Sequence, residues 1–260
     1  METTLDRTVA DLVRSVVDLS RSVCVPEASA QRLVALKGAH DSLVAADLFL
    51  EARILDEIRA RWPDHGVVSE EAGGALDGAQ SFRWVVDPLC GSNNFRFGLP
   101  IYGVSFALLR GQEFEFGCIV LPAQEEVLTA WKGRGAELNG VRLLPPPRRP
   151  LCESLILYDN QLAVLPGAYR NLESLAQSSF AIRMTGSAAW DNALVATGRA
   201  GARVFHSTKL FDFAAAAVIV PEVGGVVIDF EGRDVTARSK EVLVSSSPEL
   251  AVELRALFRR

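Results

Sequence analysis

The chain has 260 residues, about 1.7 average domain lengths, which makes one large domain or two closely joined ones. Hydrophobic residues are 49% and charged residues 23%, which supplies a core and excludes a disordered chain. The net charge of −5 argues against a nucleic-acid or anionic-membrane partner, whose affinity would need clustered Lys and Arg. It leaves open an anionic substrate, held by metal ions or a few local cations.

Helical spacing opens the chain: Leu5, Val9, Leu12, Val13, Val16, Val17 and Leu19 form an apolar stripe between Asp6, Arg7, Asp11, Arg14 and Asp18. With a charge every few residues this segment lacks a signal-peptide core, and no run of eighteen apolar residues follows anywhere. Cys24, Cys90, Cys118 and Cys152 form no CxxC pair, as expected of free thiols in a reducing compartment. A cytoplasmic location without a membrane partner is the expectation.

A second helix is predicted from about Ala45 to Trp62, stopped by Pro63, Asp64 and Gly66. Strands are then predicted at Gly66–Ser69, Phe82–Val86, Gly103–Leu109, Glu115–Val120 and Glu126–Trp131. The short turns between them imply an antiparallel sheet. The run Pro145-Pro146-Pro147-Arg148-Arg149-Pro150 is stiff and cannot continue a helix or a ladder. It predicts an N-terminal α+β part, residues 1–145, and a C-terminal α/β part, residues 146–260. In the second part strands near Leu155–Tyr158, Ala181–Met184, Arg203–Phe205, Val226–Asp229 and Val242–Ser245 alternate with helices. Those helices are expected at Ala168–Gln177, at Ser187–Thr197, from Asp212 through Phe213–Val223, and at Pro248–Arg260.

The densest chemical signal is Trp84-Val85-Val86-Asp87-Pro88-Leu89-Cys90-Gly91-Ser92-Asn93-Asn94-Phe95. A carboxylate at the end of a hydrophobic strand can reach a cation, and the amides around Gly91 and Ser92 can hold a phosphate. Read alone, the stretch is equally a Pro–Gly turn capped by its Asp. Three other carboxylate groups, Asp47 in Asp41–Asp47, Glu70-Glu71 after Ser69, and Asp212, could converge on it. A hard cation needs several oxygens, so their meeting would form a Mg²⁺ site. Singly, Asp47 and Asp212 read as helix N-caps and Glu70-Glu71 as a solvated pair.

Together these segments resemble the inositol monophosphatase family. Its Asp-Pro-x-Asp-Gly-Thr-x-Asn-Phe pattern corresponds to Asp87-Pro88-Leu89-Cys90-Gly91-Ser92-Asn93-Asn94-Phe95. Its Gly-Glu-Glu corresponds to Ser69-Glu70-Glu71, and its Asp-x-Val-Thr-x-x-Asp to Asp41-Ser42-Leu43-Val44-Ala45-Ala46-Asp47. Its Gly-Ser/Thr-Ala-Ala matches Gly186-Ser187-Ala188-Ala189, and its Trp-Asp-x-Ala-Ala…Glu-Ala-Gly-Gly matches Phe211–Ala215 with Glu222–Gly225. The match runs in order from about Lys37 to Ser246. The resemblance implies a layered α/β/α/β/α sandwich, a homodimer and Mg²⁺ dependence. It further implies that Glu70, Asp87 and the Leu89 carbonyl hold a first Mg²⁺, and that Asp87 and Asp212 hold a second with the turn's second Asp. Asp47 and Ser92 would orient and deprotonate the attacking water, and the amides of Gly91 and Ser92, with Gly186 and Ser187, would bind the substrate.

The turn's second Asp is here Cys90. A thiol is a poor Mg²⁺ ligand and suits softer ions such as Zn²⁺, so Mn²⁺ or Zn²⁺ also enter as candidate cofactors. Neighbouring acids should keep the thiol protonated. Cys90 therefore reads as a small apolar residue in a decayed or repurposed site, as a ligand for another metal, or as a thiol nucleophile. Neither His65 nor His206 stands in a recognisable Cys–His arrangement, and His40 reads as a solvated loop residue. At the substrate end, Gly201 and Phe205 replace acidic groups that would grip a polyol, while Arg203, His206 and Lys209 add cations suited to a carboxylate or second phosphate. The expected function is metal-dependent hydrolysis of a small phosphate monoester with a weakened second metal site. The alternative is a repurposed homologue that binds or transforms another small anionic ligand.

Overall fold

The computed structural model describes residues 4–24, 33–37, 42–76, 80–159 and 167–258. Helix α1 (Thr4–Val23) buries Val9, Leu12 and Val16 and turns Arg7, Asp11, Arg14 and Asp18 outward, as its spacing predicts. Its exception is Asp6, which is buried and paired with Arg134 at 2.9 Å. A two-stranded antiparallel ribbon, β1 (Leu33–Leu36) with β2 (Ser42–Val44), leads into α2 (Ala45–Arg61). His40 and Asp41 lie outside the described residues.

The first large sheet has seven strands in sequence order: β3 (Gly66–Ser69), β4 (Phe82–Cys90), β5 (Gly103–Arg110), β6 (Glu113–Leu121), β7 (Glu126–Trp131), β8 (Gly135–Leu138) and β9 (Val141–Arg142). It is antiparallel, as the short turns imply, except that β3 and β4 are parallel. Parallel neighbours need a crossover rather than a hairpin, and the connection between β3 and β4 includes residues 77–79, which lie outside the described residues. This connection also carries Glu70 and Glu71.

The second sheet has the order β11-β10-β12-β14-β13, formed by β10 (Leu155–Tyr158), β11 (Ala181–Arg183), β12 (Ala202–Phe205), β13 (Val226–Ile228) and β14 (Val242–Ser245). Helices α4 (Ala168–Ser178), α5 (Ala188–Ala196) and α8 (Pro248–Phe258) lie close to their predicted places, and a short helix α3 (Ser92–Arg96) follows Gly91 in the first part. The helix expected from Asp212 differs. It begins two residues earlier, as α6 (Leu210–Phe213), continues as α7 (Ala216–Ile219), and ends in a 3₁₀ turn at Pro221–Val223. Lys209, not Asp212, takes the N-cap position, because the Asp212 carboxylate accepts the Lys209 amide from the third helical position.

Hydrophobic contacts order these elements into layers. Trp84, Val86, Val104, Phe106 and Phe116 on one face of the seven-stranded sheet pack against α1 and α2. On the opposite face Val85, Ala107, Leu109 and Ile119 join α5, α6 and α7, which also meet Leu157, Phe205, Val242 and Val244 of the second sheet. The outer face of that sheet, with Ile156, Val204 and Leu243, is covered by α4 and α8. The sequence is therefore an α/β/α/β/α sandwich, and strands covered on both faces read as almost continuous apolar runs. Among the described residues no helix is long and apolar enough to cross a membrane.

Two polar ties fasten later segments to the first sheet. Glu222 accepts the amides of Gly133 and Gly135 at the β7–β8 turn, and Arg199 grips Glu126 with both ends of its guanidinium. The chain also approaches closely at Gly117 in β6, where a Cβ would stand 2.5 Å from the Ala215 carbonyl oxygen. That oxygen belongs to the backbone and has little room to yield. Gly117→Ala is expected to lower the unfolding free energy by about 1–3 kcal/mol, measured by urea denaturation.

Candidate functional site

Strand β4 pairs with β5 through Asp87 opposite Ser105, then skips and resumes at Cys90 opposite Gly103. Pro88 and Leu89 thus face Val104 alone, and this is a β-bulge. Proline cannot donate to a ladder, so it fits where pairing breaks. The bulge is followed by Gly91, whose φ of +99° is in the left-handed region. A Cβ there would also lie 2.7 Å from the Ile101 carbonyl oxygen and 2.9 Å from Ser187 Cβ, so only glycine fits on both counts. Within five residues the chain thereby presents Asp87, the Leu89 carbonyl, Cys90 and the start of α3.

Asp47 and Ser92 meet as the resemblance implies. Asp47 is fully buried at the third position of α2, and its Oδ2 accepts the Val44 amide at 2.7 Å. It is therefore not an N-cap residue, although it closes the same helix end. Ser92 Oγ is 2.6 Å from Asp47 Oδ1 and 2.9 Å from the Leu89 carbonyl oxygen. One hydroxyl hydrogen serves one acceptor well, so the proton on Asp47 selects which. With Asp47 ionised, Ser92 donates to the carboxylate; with Asp47 protonated, Asp47 donates to Ser92 and Ser92 turns to Leu89. Burial pushes the Asp47 carboxyl up to about 7, against the lowering effect of the Ser92 and Val44 hydrogen bonds.

Asp87 has Glu70, Asp212 and Cys90 as neighbours. Burial raises the carboxyl of Asp87 well above its ordinary value, and the charges of Glu70 and Asp212 raise it further. Glu70 is likewise raised, first by burial, and Asp212 is raised by burial against the bonds from Lys209 and Thr208. Thr208 Oγ1 reaches Asp212 Oδ2 at 3.1 Å, and Asn192 Nδ2 donates to the Asp212 carbonyl at 2.8 Å. Glu70 and Glu71 are not a solvated pair: their side chains are 14% and 11% exposed, and the Lys37 ammonium binds both. Lys37 belongs to none of the motifs and stands only at the start of the family match.

The donor set fits a hard cation on the Glu70–Asp87 side. Asp87 Oδ1 is buried without a hydrogen-bond partner, and Glu70 already attracts an ammonium, 3.1 Å from Lys37 Nζ. Among the described residues, no three His, Cys, Asp or Glu side chains are gathered as a formed metal site. The fit is poorer on the Asp212 side. Cys90 is buried, its Sγ accepts the Ala189 amide at 3.2 Å, and its thiol hydrogen-bonds to Asp87. Burial and the charges of Asp87 and Asp212 push the thiol well above its ordinary range, so it is neutral and engaged at neutral pH.

Ser187 caps α5, accepts the Trp190 amide, and donates to the Cys90 carbonyl at 2.9 Å, which brings Gly186 and Ser187 beside Gly91. The three cations at the substrate end separate. Arg203 is buried, pairs with Asp191 at 2.8 Å and stacks 3.6 Å over Phe205, so it is a core residue and not a ligand group. His206 packs among Tyr158, Phe230 and Phe258, with Nε2 2.6 Å from the Tyr158 hydroxyl, and burial pushes its imidazole down. Lys209 is exposed and reaches over Phe211.

With this geometry in view, the chain can be compared with known proteins. The profile of the inositol monophosphatase family matches residues 3–260. The chain belongs to the inositol monophosphatase family. Nus factor SuhB of Haemophilus influenzae is 35% identical over 215 residues, covering 81% of this chain and 80% of that one. Nus factor SuhB of Escherichia coli K12 is 36% identical over 199 residues, 75% and 74% of the two chains. Among solved structures, the extragenic suppressor protein suhB of Bartonella henselae superposes with a TM-score of 0.87 at 29% identity, covering 99% of both chains. An IMPase of Thermotoga maritima gives 0.84 at 28% identity, over 96% and 97%.

The four thiols are all free, and only Cys152 is exposed. Iodoacetamide is expected to label Cys152 in the native protein and to reach Cys24, Cys90 and Cys118 only after unfolding, as read by peptide mass spectrometry. Native labelling of Cys90 would contradict the engaged, neutral thiol.

Proposed function

We propose that this chain is a divalent-cation-dependent phosphomonoesterase acting on a small phosphorylated metabolite, with its water-activating half intact and its leaving-group half weakened. The observation that carries this reading is the Asp47–Ser92 contact of 2.6 Å, buried beside the Leu89 carbonyl. Glu70, Asp87 and the Leu89 carbonyl would hold the cation, Mg²⁺ by preference, since all three offer hard oxygen. Bound there, it supplies charge neutralisation and acidifies the attacking water. Ser92 takes the water's proton and passes its own to Asp47, while the amides of Gly91 and Ser92 and the Gly186–Ser187 turn orient the phosphate. Asp212 faces the departing oxygen, and Cys90 offers no anionic charge there for a second ion.

Of the residues expected at the substrate's remote end, Phe205 is buried under Arg203 and His206 is packed among Tyr158, Phe230 and Phe258, which leaves exposed Lys209 beside Asp212. Lys209 supports a ligand that carries a further anionic group rather than a bare polyol. Free thiols support a cytoplasmic location. The division into residues 1–145 and 146–260 is retained as part of the proposal. So is a homodimer, which exposed Phe97, Leu99, Phe180 and Met184 support; the 2.7 Å bond from Asn94 to the Thr185 carbonyl joins the two segments bearing them.

A second reading keeps the fold and drops the hydrolysis. Two observations favour it, the engaged thiol of Cys90 and the name Nus factor carried by the curated relatives. On this reading the exclusion of nucleic acid rests on net charge alone and is settled by direct RNA-binding titration.

Phosphate release over sugar, polyol and nucleotide monophosphates, with Mg²⁺, Mn²⁺ and Zn²⁺ in turn, separates the two readings. The first expects metal-dependent turnover, and Cys90→Asp raises kcat by about 10²–10³ as leaving-group charge stabilisation returns. Silence from the unaltered chain together with activity in Cys90→Asp supports the second reading, and silence from both removes the first.

Asp47 also predicts a pH profile. Only its ionised form accepts a proton, and its carboxyl lies at about 7. Activity is therefore low in acid, rises as pH passes through about 7, and levels off above. Asp47→Asn should abolish that limb and lower kcat by about 10²–10⁴, measured under saturating metal.

A further inference from the structure

Helix α2 does more than carry Asp47. Glu51 follows by four residues, one turn along the same face, and is buried at 6% exposure. Its Oε1 lies 3.0 Å from the amide nitrogen of Glu71 and 3.0 Å from that of Ala72. Those amides belong to the tight turn after β3, where Ser69 and Gly73 exchange backbone hydrogen bonds of 2.9 and 3.1 Å. Glu70 sits inside this turn, its own amide donating to the Val86 carbonyl at 3.1 Å. The turn is thus held from two sides, by β4 through Val86 and by α2 through Glu51.

We propose that Glu51 is a positioning residue that fixes the Glu70 carboxylate for the cation and, through the shared face of α2, sets its distance from the Asp47–Ser92 pair. A carboxylate oxygen accepting two amides is a charge-assisted, two-point hold, and a helical turn is a stiff spacer between it and Asp47. Movement of the 69–73 turn would displace Glu70 from Asp87, whereas Asp47 and Ser92 have their own bonds and would stay. The inference rests on the assignment of Glu70 as a cation ligand.

The test is calorimetric titration of the full chain with MgCl₂, with melting temperature recorded for each variant. Glu51→Ala is expected to weaken Mg²⁺ binding about 10-fold, as loss of an outer hydrogen-bond partner of a metal ligand commonly does. Glu51→Gln keeps the oxygen acceptor and should restore affinity to within about 3-fold. Leu254→Ala, on the buried face of α8 in the outer core, should lower the melting temperature and leave Mg²⁺ affinity unchanged, which separates positioning from general destabilisation. Should Glu51→Ala fail to fold, Glu51→Asp, too short to reach both amides, carries the same expectation. Wild-type affinity in Glu51→Ala or Glu51→Asp overturns the proposal, and so does a Glu51→Gln variant as weak as alanine. A wild-type chain that takes up no Mg²⁺ overturns both it and the assignment of Glu70. A chain that binds Mg²⁺ in this pattern yet releases no phosphate removes the hydrolase reading and leaves Glu51 in its role.

Discussion

The bulge at Pro88–Leu89 is the constraint on which the candidate site depends. An unbroken β4 would alternate Asp87, Pro88, Leu89 and Cys90 between the two faces of a buried sheet, and the backbone carbonyls would stay in the ladder. Two residues opposite Val104 break this register. The Leu89 carbonyl is then free to meet Ser92, Cys90 turns toward Asp87 and the α5 amides, and Gly91 takes the left-handed conformation that starts α3. The two flanking layers close on this point, α2 with Asp47 from one side and α5 and α6 with Ser187 and Asp212 from the other.

Asp47 and Asp212 make this convergence in the same way. Each stands at the third position of a helix and accepts the N-cap amide, at 2.7 and 2.8 Å. A carboxylate is favoured there by the helix's unpaired amides, which offset part of its burial. Local helix chemistry therefore holds both groups without any metal. Asp87 has no such support: strand geometry leaves Oδ1 unpartnered, and the neighbouring acids oppose its ionisation. The demand for positive charge is thus concentrated on the Glu70–Asp87 side, where the Lys37 ammonium already answers part of it.

The architecture was largely legible in the sequence because it is periodic. Alternating and helical spacing indicated the strands of both sheets except the short β8 and β9, together with the principal helices, and the Asp87–Phe95 motif located the site. What spacing could not show was tertiary partnership. Arg203 and Lys209 are equally cationic in sequence, yet one is buried on Asp191 and the other is exposed. Glu51 looked like one more polar residue of an amphipathic helix, and its partners lie twenty residues away at backbone amides, which no side-chain pattern encodes. The parallel pairing of β3 escaped for a related reason, since the period of a strand is the same in parallel and antiparallel pairing.

In the proposed reaction, Cys90 would ease the folded state and burden bond cleavage. A carboxylate at this position would add a further negative charge to a pocket in which Glu70 and Asp212 already raise the Asp87 carboxyl. The thiol avoids that repulsion, fills buried volume, and is satisfied by Asp87 and the Ala189 amide. Electrostatic relief in the resting protein is not relief in the transition state, where the departing oxygen gains charge and needs a cation that a neutral thiol does not attract. On the proposed hydrolase reading, the energetic consequence of Cys90 would therefore fall on bond cleavage and much less on phosphate binding, which the amides and the Glu70–Asp87 side of the centre would hold.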